Sequence, residues 1–334
     1  MSQPEPGSST TAASSVAAPE GSAVTGAAPG AIPEPSRTGT VPFRGHQTWF
    51  RVTGDLEGLR PDAPRAPLVV LHGGPGVAHD YTLAMTALAG DGRAVVHYDQ
   101  LGCGRSTHLP DADPAFWTVE LFVAELRALV DHLGIGERFH LLGQSWGGML
   151  ASEVLLAAPH GIRSLCICDS PASMALWLEA AATLRAELPD EVQETLQRHE
   201  EAGTTDSAEY AAAMQVFYDR HVCRVVPNPP QVQASFAQLE ADPTVYHTMN
   251  GPSEFHVIGT LKDWSVVDRL PGIAAPTLVV SGAHDEAMPL VWEPFVTGIP
   301  DARSHVFAES SHMPHVEEPE WFTAVVGAFL REHD

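Results

Sequence analysis

In Gly143-Gln144-Ser145-Trp146-Gly147 a serine stands with a glycine two positions to either side, directly after the apolar run Phe139-His140-Leu141-Leu142. That order reads as strand, sharp turn and helix, a geometry that holds a serine hydroxyl exposed above a sheet. Ser145 is therefore the candidate nucleophile. A serine hydroxyl is weak at neutral pH, so it needs an adjacent base, and the base needs a carboxylate to fix its tautomer. In this arrangement the acid and then the histidine follow the nucleophile, each at the end of a later strand. Two segments qualify, Val280-Ser281-Gly282-Ala283-His284-Asp285-Glu286 and Phe307-Ala308-Glu309-Ser310-Ser311-His312. Asp285 and His312 are the expected acid and base, with Glu286 and His284 flanking the first and His315 within a turn of the second. The tetrahedral oxyanion needs donors. They are expected from the backbone N–H of Trp146, next to the nucleophile, and from Gly74 in the turn His72-Gly73-Gly74-Pro75-Gly76.

These residues require a scaffold of buried strands with helices between them. Leu68-Val69-Val70-Leu71, Ala94-Val95-Val96-His97-Tyr98 and Ser164-Leu165-Cys166-Ile167-Cys168 are continuous apolar runs, as expected of strands covered on both faces. Residues 119–133 place Phe122, Leu126, Leu129 and Leu133 at helical spacing and close on Gly134. Alternation of this kind predicts an α/β fold with a parallel sheet. Thr40-Val41-Pro42-Phe43 and Thr48-Trp49-Phe50-Arg51-Val52, between glycines, predict an opening hairpin. The strand texture stops after Cys168. Residues 171–265 are rich in Ala, Leu, Glu and Arg at helical spacing and are expected to form an inserted helical cap. It returns in Thr277-Leu278-Val279-Val280 and Ser304-His305-Val306-Phe307, and an amphipathic helix through Trp321, Phe322, Val325, Val326 and Phe329 closes the chain. The expected division is a core of residues 37–170 and 266–334 around that cap, after a tail of residues 1–36 too poor in large apolar side chains to offset its ordering entropy.

Composition excludes several functions. The formal net charge of -24, from 18 Lys+Arg against 42 Asp+Glu, argues against nucleic acid and anionic membrane surfaces as partners. An acidic surplus suits a cationic substrate and suits simple solubility equally. Four cysteines without a paired C-x-x-C spacing are expected to be free thiols, and the 17 histidines show no H-E-x-x-H or other ligand spacing, so no metal is expected. Neither glycine-rich turn matches a dinucleotide or phosphate-loop pattern, so no cofactor is implied. There is no signal-peptide pattern and no apolar run of about 20 residues, which makes the cytoplasm the expected compartment. Oligomeric state is not legible.

From about Gly39 onward the chain resembles the proline iminopeptidases and related amino-acid amidases of the α/β-hydrolase fold, whose mostly parallel central sheet is flanked by helices and carries an inserted helical cap. The carriers are His72-Gly73-Gly74-Pro75-Gly76, Tyr98-Asp99-Gln100-Leu101-Gly102-Cys103-Gly104-Arg105-Ser106 and Gly143-Gln144-Ser145-Trp146-Gly147-Gly148. The resemblance implies a serine hydrolase acting on a small peptide or amino-acid amide with an unblocked N-terminus. It also implies that Glu254, in Asn250-Gly251-Pro252-Ser253-Glu254-Phe255, holds the substrate's α-ammonium, although a helix-capping or solvated glutamate is the plainer reading of that residue alone. Family members often use a second acid in the cap. The matching region, residues 222–230, has no carboxylate to align, so strict proline specificity is not implied. Two alternatives remain at this level: a biosynthetic serine esterase or thioesterase, and a catalytically silent ligand-binding protein of the same fold.

Overall fold

Four-residue strands with every side chain buried are the centre of the molecule, and they need helices on both faces. The computed structural model describes residues 32–56 and 64–334; most of the expected N-terminal tail, residues 1–31, lies outside them. Eight strands form one sheet: β1 (Arg37–Phe43), β2 (His46–Thr53), β3 (Leu68–Leu71), β4 (Val95–Tyr98), β5 (Phe139–Gln144), β6 (Ile162–Cys168), β7 (Thr277–Gly282) and β8 (Ala302–Phe307). Their spatial order is β1-β2-β4-β3-β5-β6-β7-β8. The first hairpin is antiparallel, with Phe43 opposite His46, and β2 runs antiparallel to β4; all other pairs are parallel. The order reverses direction between β3 and β5, so the crevice beyond their carboxyl ends is where such a sheet binds ligands.

The period-2 alternation of each strand sends its side chains to two separate cores. Val69, Leu71, Leu141, Leu165 and Ile167 pack with Phe122, Leu126 and Leu129 of α1 (Val119–Leu133) and with Leu150 and Val154 of α2 (Trp146–Ala157). Leu68, Val70, Leu142, Cys166 and Cys168 face the other way. There they meet Met85 and Leu88 of a 3-10 helix (His79–Asp91) and the residues Phe322, Val326 and Phe329 that recur at helical spacing farther on. The ends of α1 carry the signals expected of them: the Thr118 hydroxyl accepts the Leu121 N–H, and Gly134 closes the helix at φ 70°.

Between β6 and β7 the chain leaves the sheet through five helices: α3 (Met174–Arg185), α4 (Asp190–Ala202), α5 (Ala208–His221), α6 (Pro230–Ala241) and α7 (Thr244–Met249). The two ends of this excursion meet at an antiparallel bridge between Ser173 and Ser265. Leu184, Leu196, Tyr210, Phe217 and Phe255 give it a core of its own. A second cluster, in which Val232 and Tyr246 touch Val77, Tyr81 and Met313, seats it on the loops after β3 and β8. After β7 come α8 (Pro289–Gly298), α9 (Pro314–Glu317) and α10 (Pro319–Glu332), the last carrying Phe322, Val326 and Phe329. No described helix is long and apolar enough to cross a membrane.

Candidate active site

Ser145 sits between β5 and α2 at φ 55° and ψ -124°, a backbone conformation that costs a non-glycine residue of order 1–3 kcal/mol. The flanking glycines make the turn sterically possible. A Cβ at Gly143 would lie 2.1 Å from the Gly147 carbonyl oxygen, and one at Gly147 would lie 2.2 Å from the Leu71 oxygen. The Ser145 hydroxyl makes no capping bond to the helix it precedes, so it is not consumed by local structure. Trp146 is the first residue of α2, and its backbone N–H therefore has no acceptor within the helix. Its indole is held by packing on Phe122 and by a 2.9 Å bond from Nε1 to Gln100 Oε1.

A narrow cavity beside Ser145 is lined by Gly74, Trp146, Met149, Met174, Trp177 and Glu254, among others. Four of the six residues singled out in the sequence thus share one cavity. The other two share a hydrogen bond: His312 Nδ1 lies 2.7 Å from Asp285 Oδ1. Asp285 also accepts from the Ala287 N–H at 2.9 Å and from the Ser281 hydroxyl at 2.9 Å. Burial alone would raise the Asp285 carboxyl, but the charge and hydrogen bond of His312 and the bond from the Ala287 N–H outweigh it and hold it below the usual range. Burial likewise disfavours the His312 imidazolium, yet the charge and hydrogen bond of Asp285, with Glu254 and Glu317 behind it, raise His312 above its ordinary value. The neighbouring candidates are placed elsewhere. His284 is exposed. His315 is buried, with Nε2 3.2 Å from the Tyr81 carbonyl, and burial pushes it down to about 3.

Trp177 joins the two halves of the site. It lines the Ser145 cavity, stacks edge-on to His312 with ring centroids 5.9 Å apart, and donates Nε1 to the Glu254 carbonyl at 2.7 Å. Gln144 joins them from below, donating Nε2 to the His312 carbonyl at 2.9 Å and accepting from the Tyr81 hydroxyl, which itself accepts the Gly73 N–H. Ahead of His312 the loop is pinned by Glu317, which accepts the Ser311 hydroxyl at 2.8 Å, and by Glu318, which accepts the Ser310 hydroxyl at 2.6 Å.

Two further carboxyl groups face this array. Glu254 accepts the Tyr246 hydroxyl at 2.6 Å. Burial raises its carboxyl, against the pull of that bond and of His312. Glu286 is only 2% exposed, its Oε1 has no hydrogen-bond partner among the described residues, and that oxygen lies 3.8 Å from His312 Nε2. Burial, Glu254 and Asp285 together push the Glu286 carboxyl well up. Sequence reasoning weighed Glu286 only as a rival to Asp285 and missed it as a second acid beside the site. The signal was its adjacency to Asp285, but only the loop geometry shows the two side chains serving different faces of His312.

His72, Asp99 and Cys103 bring potential ligand atoms within 4.8 Å of one another. Hydrogen bonds already engage His72 and Asp99. His72 Nε2 accepts the Gln100 N–H at 3.0 Å, which puts its proton on Nδ1 toward the Gly73 carbonyl, and burial lowers this ring to about 4. Asp99 accepts the N–H groups of His79 and Arg105, each at 2.9 Å. The cluster braces the turn that carries Gly74.

Residues 66–319 match the model of the alpha/beta hydrolase fold family. A proline iminopeptidase of Heyndrickxia coagulans is 42% identical over 265 residues, which cover 79% of this chain and 90% of that protein. One from Lactobacillus helveticus is 36% identical over 298 residues, covering 89% and 98%. Among solved structures, proline iminopeptidase of Mycobacterium smegmatis superposes with a TM-score of 0.82 at 58% identity, covering 89% of this chain and 98% of that one. VinJ superposes with a TM-score of 0.87 at 55% identity, covering 90% and 100%. The chain belongs to the alpha/beta hydrolases and, among them, to the proline iminopeptidase family.

Proposed function

We propose that this protein is a serine aminopeptidase or amino-acid amidase that cleaves the amide bond after an unblocked N-terminal residue. Ser145 attacks the carbonyl carbon while His312 takes its proton, and Asp285 holds His312 in the tautomer with Nδ1 protonated. The oxyanion is stabilised by the N–H groups of Gly74 and Trp146. His312 then returns the proton to the leaving amine, and water attacks the resulting acyl-enzyme by the same relay. Acyl transfer of this kind needs no cofactor.

The observation that carries the amine preference is the buried Oε1 of Glu286, without a hydrogen-bond partner among the described residues, together with Glu254 in the cavity beside Ser145. Buried polar atoms without partners are rare, and an incoming ammonium supplies donors to both carboxyl groups. An acylated N-terminus supplies no charge and leaves them unpaired. A cavity of about 570 Å³ between α5, α6 and α7 also reaches Glu254, and among the described residues no lysine or arginine lines it. The names of the relatives make proline the first N-terminal residue to assay. Ser145→Ala should fold normally, lose turnover of amino-acid arylamides and lose fluorophosphonate labelling; substantial retained activity would remove Ser145 from the mechanism.

A further inference from the structure

Asp169 follows the last residue of β6, beside Val280 of β7, at the same end of the sheet as Ser145 and Asp285. Its backbone is fixed: φ is 52°, and its N–H donates to the Val280 carbonyl at 2.8 Å. The residue is 0% exposed, and neither carboxyl oxygen accepts a hydrogen bond from any described donor at bonding geometry. What the carboxyl does touch is the carboxyl of Asp285. No lysine, arginine or histidine pairs with it among the described residues. Glu317 and Tyr81 lie nearby, Cys168 precedes it, and the Gly282 N–H is the backbone donor that faces it.

Two carboxylates in contact away from water cannot both ionise, because neither has a medium to disperse the repulsion. The proton belongs on Asp169. Asp285 already has His312 and Ala287 on Oδ1 and Ser281 on Oδ2, all of which favour its charged form. Asp169 has no such set, and both burial and the Asp285 charge push its carboxyl well up. A protonated Asp169 has one O–H to donate, and the Asp285 carboxylate that faces it can accept.

We propose that Asp169 is a positioning residue: a neutral carboxylic acid that donates a hydrogen bond to Asp285, so that the two groups share one proton and present a single negative charge to His312. The proposal rests on the reading of Ser145, His312 and Asp285 given above. The bond orients Asp285 and draws off part of its charge, which moderates how strongly His312 is held protonated. His312 also faces Glu254, Glu286, Glu317 and His315.

The test compares D169N, which keeps a donor but cannot ionise, with D169A, which has no donor. The infrared difference spectrum of wild type minus D169N at neutral pH should show a protonated-carboxyl C=O stretch that the variant lacks. D169N should keep kcat/KM within about threefold of wild type, whereas D169A should lose about tenfold or more in kcat with little change in KM. The acid limb of the D169A profile should also move to higher pH, because an Asp285 freed of its donor holds the His312 proton more tightly. If D169A does not fold, the infrared band and D169N still decide. Absence of the band, or a D169A enzyme with the wild-type kcat and acid limb, overturns the proposal. Wild-type enzyme inactive toward every acyl substrate would instead remove the triad reading, and the infrared band would still report the proton on Asp169.

Discussion

Replacing Glu254 by glutamine removes one charge from the amine site and little else. The glutamine carbonyl still accepts the Tyr246 hydroxyl, and the contact of Trp177 is with the backbone of residue 254, so the cavity keeps its shape. Truncating one partner of a buried hydrogen-bonded charge pair costs about 2–5 kcal/mol. Glu286, beside His312 Nε2, remains to share the ammonium, which places the loss toward the lower end. A loss of about 2–3 kcal/mol corresponds to roughly 30- to 160-fold in kcat/KM for a free aminoacyl arylamide. An ester without an amine, such as p-nitrophenyl acetate, makes no use of the charge and should change by no more than about threefold. The assay is release of the chromogenic amine or phenol from both substrates by E254Q and wild type. Equal effects on the two substrates, or none on either, would refute amine recognition by Glu254.

Three further outcomes follow from the same structure. Because Asp285 holds His312 above the ordinary 6.5 and the base must be neutral to act, kcat/KM should fall as pH drops through a midpoint above that value; an acid limb at or below it contradicts the pairing. Glu125 is buried and raised to about 7, so the folded state binds its proton more tightly than the unfolded chain. Its contribution to stability is complete below the unfolded pKa and is lost as pH rises through about 7, by up to roughly 3 kcal/mol. E125Q mimics the neutral form and should lose less stability than wild type between about pH 5 and 9 in urea denaturation. Asp334 accepts the Ala66 N–H at 2.8 Å and pairs with the buried Arg93 at 3.1 Å and with His140 at 3.2 Å, contacts that hold its carboxyl far below the usual range despite burial. D334A should cost about 2 kcal/mol near pH 7. This stability is present above the unfolded carboxylate pKa and lost as pH falls through the folded one, so wild type and D334A should converge on acidification in the same denaturation series.

Much of the fold could be read from local pattern. Leu68–Leu71 and Ser164–Cys168 are strands because short runs of β-branched and aliphatic residues between turns have no better conformation, and the turn at Ser145 is marked by glycines that no other residue can replace. The 3-10 helix His79–Asp91 was not anticipated. Its apolar residues Tyr81, Leu83, Met85 and Leu88 follow no clean 3.6-residue period, because it is covered by α6 and α10 rather than by the sheet alone. Within the site, Asp285 and His312 were expected from chain order and are hydrogen-bonded to each other, whereas Glu286, Trp177 and Asp169 were not anticipated. Trp177 reaches His312 only because the Ser173–Ser265 bridge folds the insertion back over the sheet. Glu286 faces His312 because its backbone N–H bonds the His221 carbonyl at the end of α5, a contact across 65 residues of sequence. Such contacts are set by tertiary packing, and nothing in the spacing of a single segment reports them.

The most direct test of the account is the rate of amine release by wild-type protein from a panel of free and N-acetylated aminoacyl arylamides, with L-proline included. Free substrates should turn over and their acetylated counterparts should not, since only the former bring an ammonium to the carboxyl groups of Glu254 and Glu286. Equal turnover of both classes, or reaction confined to simple p-nitrophenyl esters, would leave the Ser145 chemistry in place and contradict the aminopeptidase reading.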